Sequence, residues 1–387
     1  MKQVTLFINS LTLGGAERVM AVIASELSQQ KIEVNLLCIE KDNVYQLPKE
    51  VKVTYLSNLT KHDSSLKKLL YLPILGYRLK KYIKKHHVPR IQSHIYRANF
   101  TNILAKLFGA AHEVQVVEVT SISNLKEGSF SKKINFLLIK LLYKYTDKVI
   151  FISERMRVEF LKNLPSIEHH QIIHNPHDIG KIQTLSKEND FGDFHFNSSK
   201  KYLVTVGRLS AEKRITTILD ALTDLDEEIE LIIIGDGTEE TALKKYTQEL
   251  NLTQRVHFLG RQSNPFQYLA KSDIFILASE GEGFPNVIIE AMACSLPVIS
   301  TDCISGPREI LSPNSDINLQ LEDTLEVAEN GILVPIGNKE ILTKGIEQLL
   351  IDKKLYARYQ QNGLEKSKHY DLENIINHYK EVLCVAS

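Results

Sequence analysis

Short apolar runs alternate with amphipathic helical patterns along almost the whole chain. This alternation is typical of parallel α/β units, in which a crossover helix follows each strand. In the first half, the pattern predicts strands at residues 4–11, 33–39, 51–56, 91–96, 114–119, 149–152 and 171–174. Helical periodicity between them predicts helices at residues 16–29, 66–85, 99–108 and 132–145.

The rhythm breaks at residues 186–201, a polar segment with Gly and Asn turn residues that predicts an inter-domain linker. Beyond it the pattern restarts, with strands expected at residues 202–206, 230–234, 256–259, 274–277, 297–300 and 332–334. We therefore expect two doubly wound, Rossmann-like α/β domains, residues 1–185 and 202–370, and a last helix within residues 371–387 that can return to the first domain. A ligand is expected in the cleft where the carboxyl ends of both strand sets meet.

Composition and charge narrow the class of protein. The 387 residues carry 47 Lys and Arg against 47 Asp and Glu, so no basic excess indicates nucleic-acid binding. Four scattered cysteines predict neither a disulfide framework nor a zinc site and favour a reducing cytosol. We find no apolar run long enough to predict a membrane span, and we interpret the first apolar run as a strand rather than a signal peptide.

The segment at residues 279–291 carries the most informative chemistry, because glycines follow a buried strand and lead into a helix. Gly281 and Gly283 permit close backbone approach, and free N–H groups near Asn286 can bind an anion. We predict a phosphate cradle here, formed by Gly283, Phe284, Pro285, Asn286 and Val287. Glu290 follows within an apolar stretch and needs a partner, either sugar hydroxyls or a neighbouring backbone or Arg group.

Two further sets of residues fit an anionic ligand. Arg208 and Lys213 follow a predicted strand and can converge on a diphosphate, although solvated side chains are the alternative. Gly14 and Gly15 form a glycine turn after the first strand. The sequence has no G-x-G-x-x-G and no P-loop, which argues against a dinucleotide-dependent dehydrogenase. Asp224 and Asp226 form a D-x-D in an acidic turn, and we predict no metal site.

Taken in order, these motifs resemble those of the retaining GT-B glycosyltransferases of family 4. The similarity rests on Gly-Gly-Ala-Glu-Arg at residues 14–18, Arg208 with Lys213, Gly-Asp-Gly at residues 235–237, an E-x7-E pair, and Asp302 with Gly-Pro-Arg-Glu at residues 306–309. The resemblance implies that Arg208 and Lys213 hold the donor diphosphate. It implies that Glu282 contacts the transferred sugar and Glu290 the nucleotide ribose. The resemblance is greatest to bacterial enzymes of lipid-linked oligosaccharide, O-antigen or capsule assembly.

One departure concerns the general base. Many members of the family carry a His in the loop after the fifth strand, whereas residues 117–123 contain none. Glu118, Thr120 and His94 are the local candidates, and for each the alternative is a structural residue. A retaining front-face mechanism, in which the departing phosphate takes the acceptor proton, needs no base.

These motifs together predict transfer of a hexose or N-acetylhexosamine from a UDP-sugar to a hydroxyl of a lipid-linked glycan, without a metal cofactor. The alternatives are a GT-B sugar-nucleotide epimerase and a non-catalytic nucleotide- or glycan-binding scaffold.

The charge is unevenly distributed along the chain. Residues 51–150 hold 18 Lys and Arg against 5 Asp and Glu, whereas residues 201–350 hold 12 against 24. Residues 66–90 interleave lysines with leucines and tyrosines, and residues 126–148 add a second basic stretch. Such segments suit an anionic bilayer surface, which predicts peripheral association with the inner face of the cytoplasmic membrane. The alternative is an ordinary amphipathic helix whose apolar side packs on the sheet while its lysines are solvated.

Overall fold

The computed structural model describes residues 3–12, 14–126 and 130–384. Residues 127–129, within the second basic stretch, and residues 385–387, at the end of the expected last helix, lie outside the described residues. The chain divides into two compact units: Met1–Pro176 together with Glu373–Ser387, and His177–Leu372.

The first unit is built on a seven-stranded parallel sheet with the order β3-β2-β1-β4-β5-β6-β7. Its strands are β1 (Gln3–Ile8), β2 (Glu33–Cys38), β3 (Lys52–Tyr55), β4 (Arg90–His94), β5 (Glu113–Glu118), β6 (Lys148–Phe151) and β7 (His170–Ile172). The central strands are buried along nearly their whole length, as the continuous Val, Ile and Leu runs predict for a sheet covered on both faces.

Helices connect these strands. They are α1 (Gly15–Gln29), α2 (Ser65–Leu70), α3 (Leu72–His86), α4 (Tyr96–Leu107), α5 (Ile122–Lys126), α6 (Phe130–Leu142) and α7 (Glu154–Asn163), with a 3₁₀ turn at Tyr143–Tyr145. The single helix expected at residues 66–85 is two helices, because Tyr71 ends α2 and also caps α3. Pro73 explains the break, since proline lacks the N–H that would continue the hydrogen bonds of α2 but fits the first turn of a new helix.

The second unit has its own seven-stranded sheet with the order β10-β9-β8-β11-β12-β14-β13. Its strands are β8 (Lys201–Val206), β9 (Ile229–Ile234), β10 (Val256–Gly260), β11 (Ile274–Leu277), β12 (Val298–Thr301), β13 (Glu326–Val327) and β14 (Ile332–Val334). The sequence pattern misses β13, a two-residue edge strand antiparallel to β14. A strand that short shows no period, so only its pairing defines it.

The helices of this unit flank the sheet and enclose an aliphatic core. They are α8 (Ile179–Leu185), α9 (Ile215–Thr223), α10 (Glu240–Glu249), α11 (Phe266–Lys271), α12 (Asn286–Ala293), α13 (Pro307–Leu311), α14 (Lys339–Ile351) and α15 (Lys353–Lys368), with a 3₁₀ turn at Ala211–Lys213. The last helix, α16 (Leu372–Leu383), belongs to the first unit from Glu373 onwards, and there Arg90 and Gln115 both donate to the carbonyl of Val382.

The boundary between the two compact units lies earlier in the chain than the predicted domain boundary. We expected a first domain at residues 1–185 and a linker at residues 186–201, whereas the structure changes unit between Pro176 and His177. Two sets of contacts explain the difference. The helix α8 packs against α11 and α12 of the second unit. The rings of three phenylalanines in the following segment pack with those of Tyr202 and Tyr268: Phe191, Phe194 and Phe196. The many polar residues of the segment at residues 186–201 obscure these aromatic contacts in the sequence pattern.

A search of the described helices finds none that is both long enough and apolar enough to cross a bilayer.

Candidate active site

The carboxyl edge of the second sheet brings several loops into backbone contact. Gly235 has φ 137°, and a Cβ there would lie 1.8 Å from the carbonyl oxygen of Gly207. A Cβ on Gly237 would lie 2.1 Å from the carbonyl oxygen of Leu209. Both positions therefore require glycine, because no side chain fits between the two loops. The close approach fixes the loop that carries Arg208, at the end of β8.

The loop after β11 forms the predicted cradle. Glu280 donates its backbone N–H to the carbonyl of Glu212 at 2.9 Å, and Gly281 pairs with Ile304 in an isolated bridge. Phe284 and Pro285 are buried and lead directly into α12, whose first residues are Asn286 and Val287. The backbone of Gly283 and the start of α12 therefore stand where a helix N-terminus can receive an anion.

Lys213 and Glu282 meet at this edge. The Nζ of Lys213 lies 2.6 Å from the Oε1 of Glu282, and the hydroxyl of Ser279 donates to the same oxygen at 2.7 Å. The Lys213 side chain is 24% exposed and that of Glu282 is 13% exposed. Both groups are thus accessible enough to meet a ligand and are held in place by each other. Ser279 matches none of the motifs in the sequence, although it lies only three residues before Glu282.

Arg208 is exposed beside the same edge, among carboxylates. Burial of the Glu212 carboxyl opposes ionisation, but the backbone N–H of Glu212 and the charges of Lys213 and Arg208 hold the pKa of Glu212 below its usual value. A hydrogen bond from Arg261, with a smaller contribution from Arg208, lowers the pKa of Asp236. Arg208 is therefore an exposed guanidinium near two carboxylates, in a position where it can bind an anionic ligand.

Glu290 lies one turn into α12 and is only 4% exposed. Its neighbours Ile288 and Ile289 are buried in the core. The thiol of Cys294 has its pKa raised to about 12, first by burial and then by the negative charge of Glu290. Glu290 is therefore a nearly buried carboxylate on the helix that starts at the cradle.

In the first unit, Gly14 and Gly15 lie between β1 and α1. Gly14 has an extended backbone (φ −146°), so its dihedral angles do not require glycine. A Cβ on Gly14 would lie 2.1 Å from the Oε2 of Glu17, an atom at the end of a flexible side chain. Gly15 is the first residue of α1. The carboxylate of Glu17 therefore lies beside Gly14 at the start of this helix.

The structure corrects the assignment of Glu118 as a catalytic candidate. Its side chain ends β5 and is fully buried, where Oε1 accepts hydrogen bonds from Asn99 and Tyr143. Burial raises the pKa of Glu118 to about 8 against these hydrogen bonds. A group without solvent access cannot reach an acceptor hydroxyl, so Glu118 is a structural carboxylic acid of the first unit.

The other local candidates differ in exposure. His94 is buried, lies 3.2 Å from the side-chain oxygen of Gln92, and has its pKa lowered to about 3 by burial. Thr120 is half-buried. His94 is therefore neutral at physiological pH and enclosed by the fold.

The D-x-D residues have structural partners. Asp224 pairs with Lys339 at 3.0 Å, and Asp226 accepts a hydrogen bond from the backbone of Glu228 at 2.8 Å. Among the described residues, no group of three or more His, Cys, Asp or Glu side chains could hold a metal ion.

The chain matches two protein-family models and has a relative that is similar over nearly its whole length. The family model for glycosyl transferases group 1 matches residues 186–366, and that for Glycosyltransferase Family 4 matches residues 13–181. A relative from Campylobacter jejuni is 30% identical over 373 residues, 96% of each chain. It is N-acetylgalactosamine-N,N'-diacetylbacillosaminyl-diphospho-undecaprenol 4-alpha-N-acetylgalactosaminyltransferase.

Solved structures share the fold across both units. Sucrose-phosphate synthase from Thermosynechococcus elongatus aligns with a TM-score of 0.78 at 17% identity, over 99% of this chain and 98% of that one. HepE from Anabaena, in complex with UDP and glucose, aligns with a TM-score of 0.74 at 21% identity, over 98% of each chain. The chain therefore belongs to the family 4 glycosyltransferases, with the GT-B fold of two Rossmann-like units.

Proposed function

We propose that this glycosyltransferase moves a hexose or N-acetylhexosamine from a UDP-sugar to a hydroxyl of a lipid-linked glycan in bacterial surface glycan assembly, with retention of configuration. Two findings on relatives support the substrates. The Campylobacter jejuni relative is named for action on a diphospho-undecaprenol glycan. The Anabaena protein was solved with UDP and glucose.

The observation that carries the proposal is the contact of Lys213, Glu282 and Ser279 beside the start of α12. An incoming diphosphate would meet Arg208, Lys213 and the backbone N–H groups of α12. These groups would stabilise the charge that develops on the leaving group, and electrostatic stabilisation of this kind is usually the largest single contribution to catalysis. Release of Lys213 towards the phosphate would leave Glu282 free to accept hydrogen bonds from the sugar hydroxyls.

The transfer step involves two bonds at the anomeric carbon. The bond from this carbon to the β-phosphate oxygen breaks, and the acceptor oxygen forms its bond on the same face of the sugar. The acceptor proton passes to the departing phosphate oxygen, so that UDP leaves with the bonding electron pair. This route uses no protein base, consistent with the enclosed positions of Glu118 and His94.

We propose further that transfer is independent of divalent metal. Arg208 and Lys213 supply two positive charges at the predicted diphosphate site, and the start of α12 adds its N–H groups. A metal ion would serve the same purpose of neutralising the leaving group.

We also propose that the first unit binds the cytoplasmic face of an anionic membrane through a basic apolar face. On α2 and α3 this face consists of Leu66, Leu70, Ile74, Tyr77, Lys81, Lys84 and Lys85, and on α6 of Lys132, Lys133, Leu137, Lys140 and Leu141. Leu66 and Leu70 are 66% and 70% exposed, while the opposite side of α3 packs inward through Leu75 and Leu79. Both α3 and α6 pack against α4.

Both the apolar and the basic side chains of this face favour binding to a bilayer. The leucines can be buried in the membrane interface, and the lysines can contact the anionic headgroups. The alternative of solvated lysines on an ordinary amphipathic helix does not account for apolar side chains on the outer side. Some basic residues of the stretch are used within the protein, since Arg78 binds the carbonyl of Leu56 and Lys68 pairs with Glu40. The face therefore excludes them.

The test is a donor panel. Purified protein is incubated with UDP- and GDP-sugars and a polyprenyl-diphosphate oligosaccharide acceptor, and released nucleotide is measured with and without acceptor. We expect acceptor-dependent release of UDP from one UDP-sugar. Turnover of a UDP-sugar to its epimer without acceptor would establish the epimerase instead, and inactivity with every UDP-sugar alongside activity with a GDP-sugar would refute the donor assignment.

A further inference from the structure

Arg308 lies in the motif at residues 302–309, and the transfer proposed above assigns it no role. Its side chain is only 3% exposed at the start of α13. The guanidinium meets the Asp302 carboxylate as a fork, with Nε donating to Oδ1 at 3.0 Å and Nη2 donating to Oδ2 at 2.6 Å. Two parallel hydrogen bonds of this kind fix orientation as well as distance.

The same guanidinium holds a second set of groups. Nη1 donates to the hydroxyl of Ser315 at 2.9 Å and to Oε2 of Glu326 at 2.8 Å. The Oδ2 of Asp302 also accepts the backbone N–H of Leu321 at 2.9 Å. Arg308 thus connects the end of β12, the helix α13, the following loop and the edge strand β13. All of these contacts are buried or half-buried, so solvent does not weaken them as it does surface pairs.

The segment that Arg308 fixes also supports the cradle. Gly281 pairs with Ile304, and Glu282 donates its backbone N–H to the carbonyl of Ile304. Gly306 has φ 92°, and a Cβ there would lie 2.2 Å from the Cδ of Pro285. Residues 304–306 therefore pack against the cradle loop at two places, on the backbone of Gly281 and Glu282 and on Phe284 and the ring of Pro285. The position of residues 302–306 determines where residues 281–285 lie.

We propose that Arg308 is a positioning residue for the donor diphosphate. Through Asp302 it holds residues 302–306 against the cradle loop, and this contact orients the backbone N–H groups at the start of α12. The proposal rests on the donor assigned above. Lysine cannot replace it, because an ammonium is a point charge without the planar fork that serves Asp302, Glu326 and Ser315 together.

The test compares affinities for UDP and uridine, measured by titration calorimetry and competition, in wild type and Arg308→Lys. Each protein is studied well below its own melting temperature. UDP should bind about tenfold more weakly to Arg308→Lys than to wild type, while the affinity for uridine should be unchanged. A tenfold change corresponds to the loss of roughly one hydrogen bond to a charged phosphate. A purely structural role predicts equal losses for both ligands or none.

The matched control is Arg255→Lys in the same unit. Arg255 lies just before β10. It donates to the carbonyls of Asp226, which precedes β9, and of Ile229, the first residue of β9. These contacts lie at the amino edge of the sheet, opposite the cradle. The Arg255→Lys substitution should lower the melting temperature of the protein without weakening UDP binding more than uridine binding. If Arg308→Lys does not fold, Asp302→Asn provides the same comparison, because it removes the carboxylate that receives the guanidinium fork.

Unchanged UDP affinity in the folded Arg308 or Asp302 variant, or an equal selective loss in Arg255→Lys, would overturn the role of Arg308 alone. A wild-type protein that binds no UDP would instead overturn the donor assignment, and this inference with it.

Discussion

Replacing Glu118 by Gln should remove a pH dependence from the stability of the first unit. Glu118 is fully buried, and burial raises its pKa from 4.5 to about 8. In the unfolded chain the carboxyl ionises near its ordinary value. Between these two values the folded protein keeps a proton that the unfolded chain releases, so the free energy of unfolding falls as pH rises.

The size of the effect follows from the shift. Each pH unit between 4.5 and about 8 costs about 1.4 kcal/mol of unfolding free energy. From pH 5.5 to pH 8 the wild type should lose roughly 3 kcal/mol that Glu118→Gln does not lose. Below the unfolded pKa the full stability is present, and above pH 8 the loss is complete. Gln is nearly isosteric and cannot ionise, so it isolates the proton.

The assay is urea unfolding followed by far-ultraviolet circular dichroism, at several pH values, for wild type, Glu118→Gln and the exposed control Glu168→Gln. Tyr143→Phe adds a second signature, because loss of its hydrogen bond to Glu118 should raise the pKa of Glu118 further and extend the slope to higher pH. If the free energy of unfolding changed with pH equally in wild type, Glu118→Gln and Glu168→Gln, the conclusion that Glu118 is a neutral buried acid would be refuted.

Three more predictions concern the donor site and the membrane. Arg208→Ala and Glu290→Gln should each abolish transfer and weaken UDP binding by roughly 10- to 100-fold while circular dichroism stays unchanged, and full UDP affinity in either variant would remove that residue from the site. Transfer should persist in excess EDTA, whereas loss that magnesium or manganese restores would show a metal requirement. Lys81, Lys84 and Lys85 replaced together by Glu should weaken binding to phosphatidylglycerol vesicles at least about 100-fold at low salt, at about 1 kcal/mol per lysine. Replacement of Lys344, Lys353 and Lys354 in the second unit should not, and equal binding by both variants would contradict the basic apolar face.

The sequence predicts both sheets well because their strands are buried on both faces and read as continuous apolar runs, such as Leu231 to Ile234 in β9. The sequence pattern does not predict features that depend on tertiary contacts. Phe191, Phe194 and Phe196 lie among polar residues, and their packing on Tyr202 and Tyr268 places residues 186–201 in the second unit. Pro73 is a readable signal for the break between α2 and α3.

The candidate site divides in the same way. Arg208 and the cradle could be located because each directly follows a strand and carries anion-binding chemistry. The contact of Lys213 with Glu282 joins residues 69 positions apart, which no local pattern reports. Glu118 shows the opposite failure, because a carboxylate at a strand end resembles a catalytic group until its burial is known.

The anomeric configuration of the product tests the central claim most directly. The enzyme is incubated in EDTA with the accepted UDP-sugar, whose sugar is α-linked, and a lipid-linked acceptor, and the new glycosidic bond is assigned by proton NMR. We expect an α-glycoside formed at the metal-replete rate, because Arg208, Lys213 and the start of α12 stabilise the departing diphosphate while attack occurs on the same face. A β-glycoside, or no product without metal, would contradict this account.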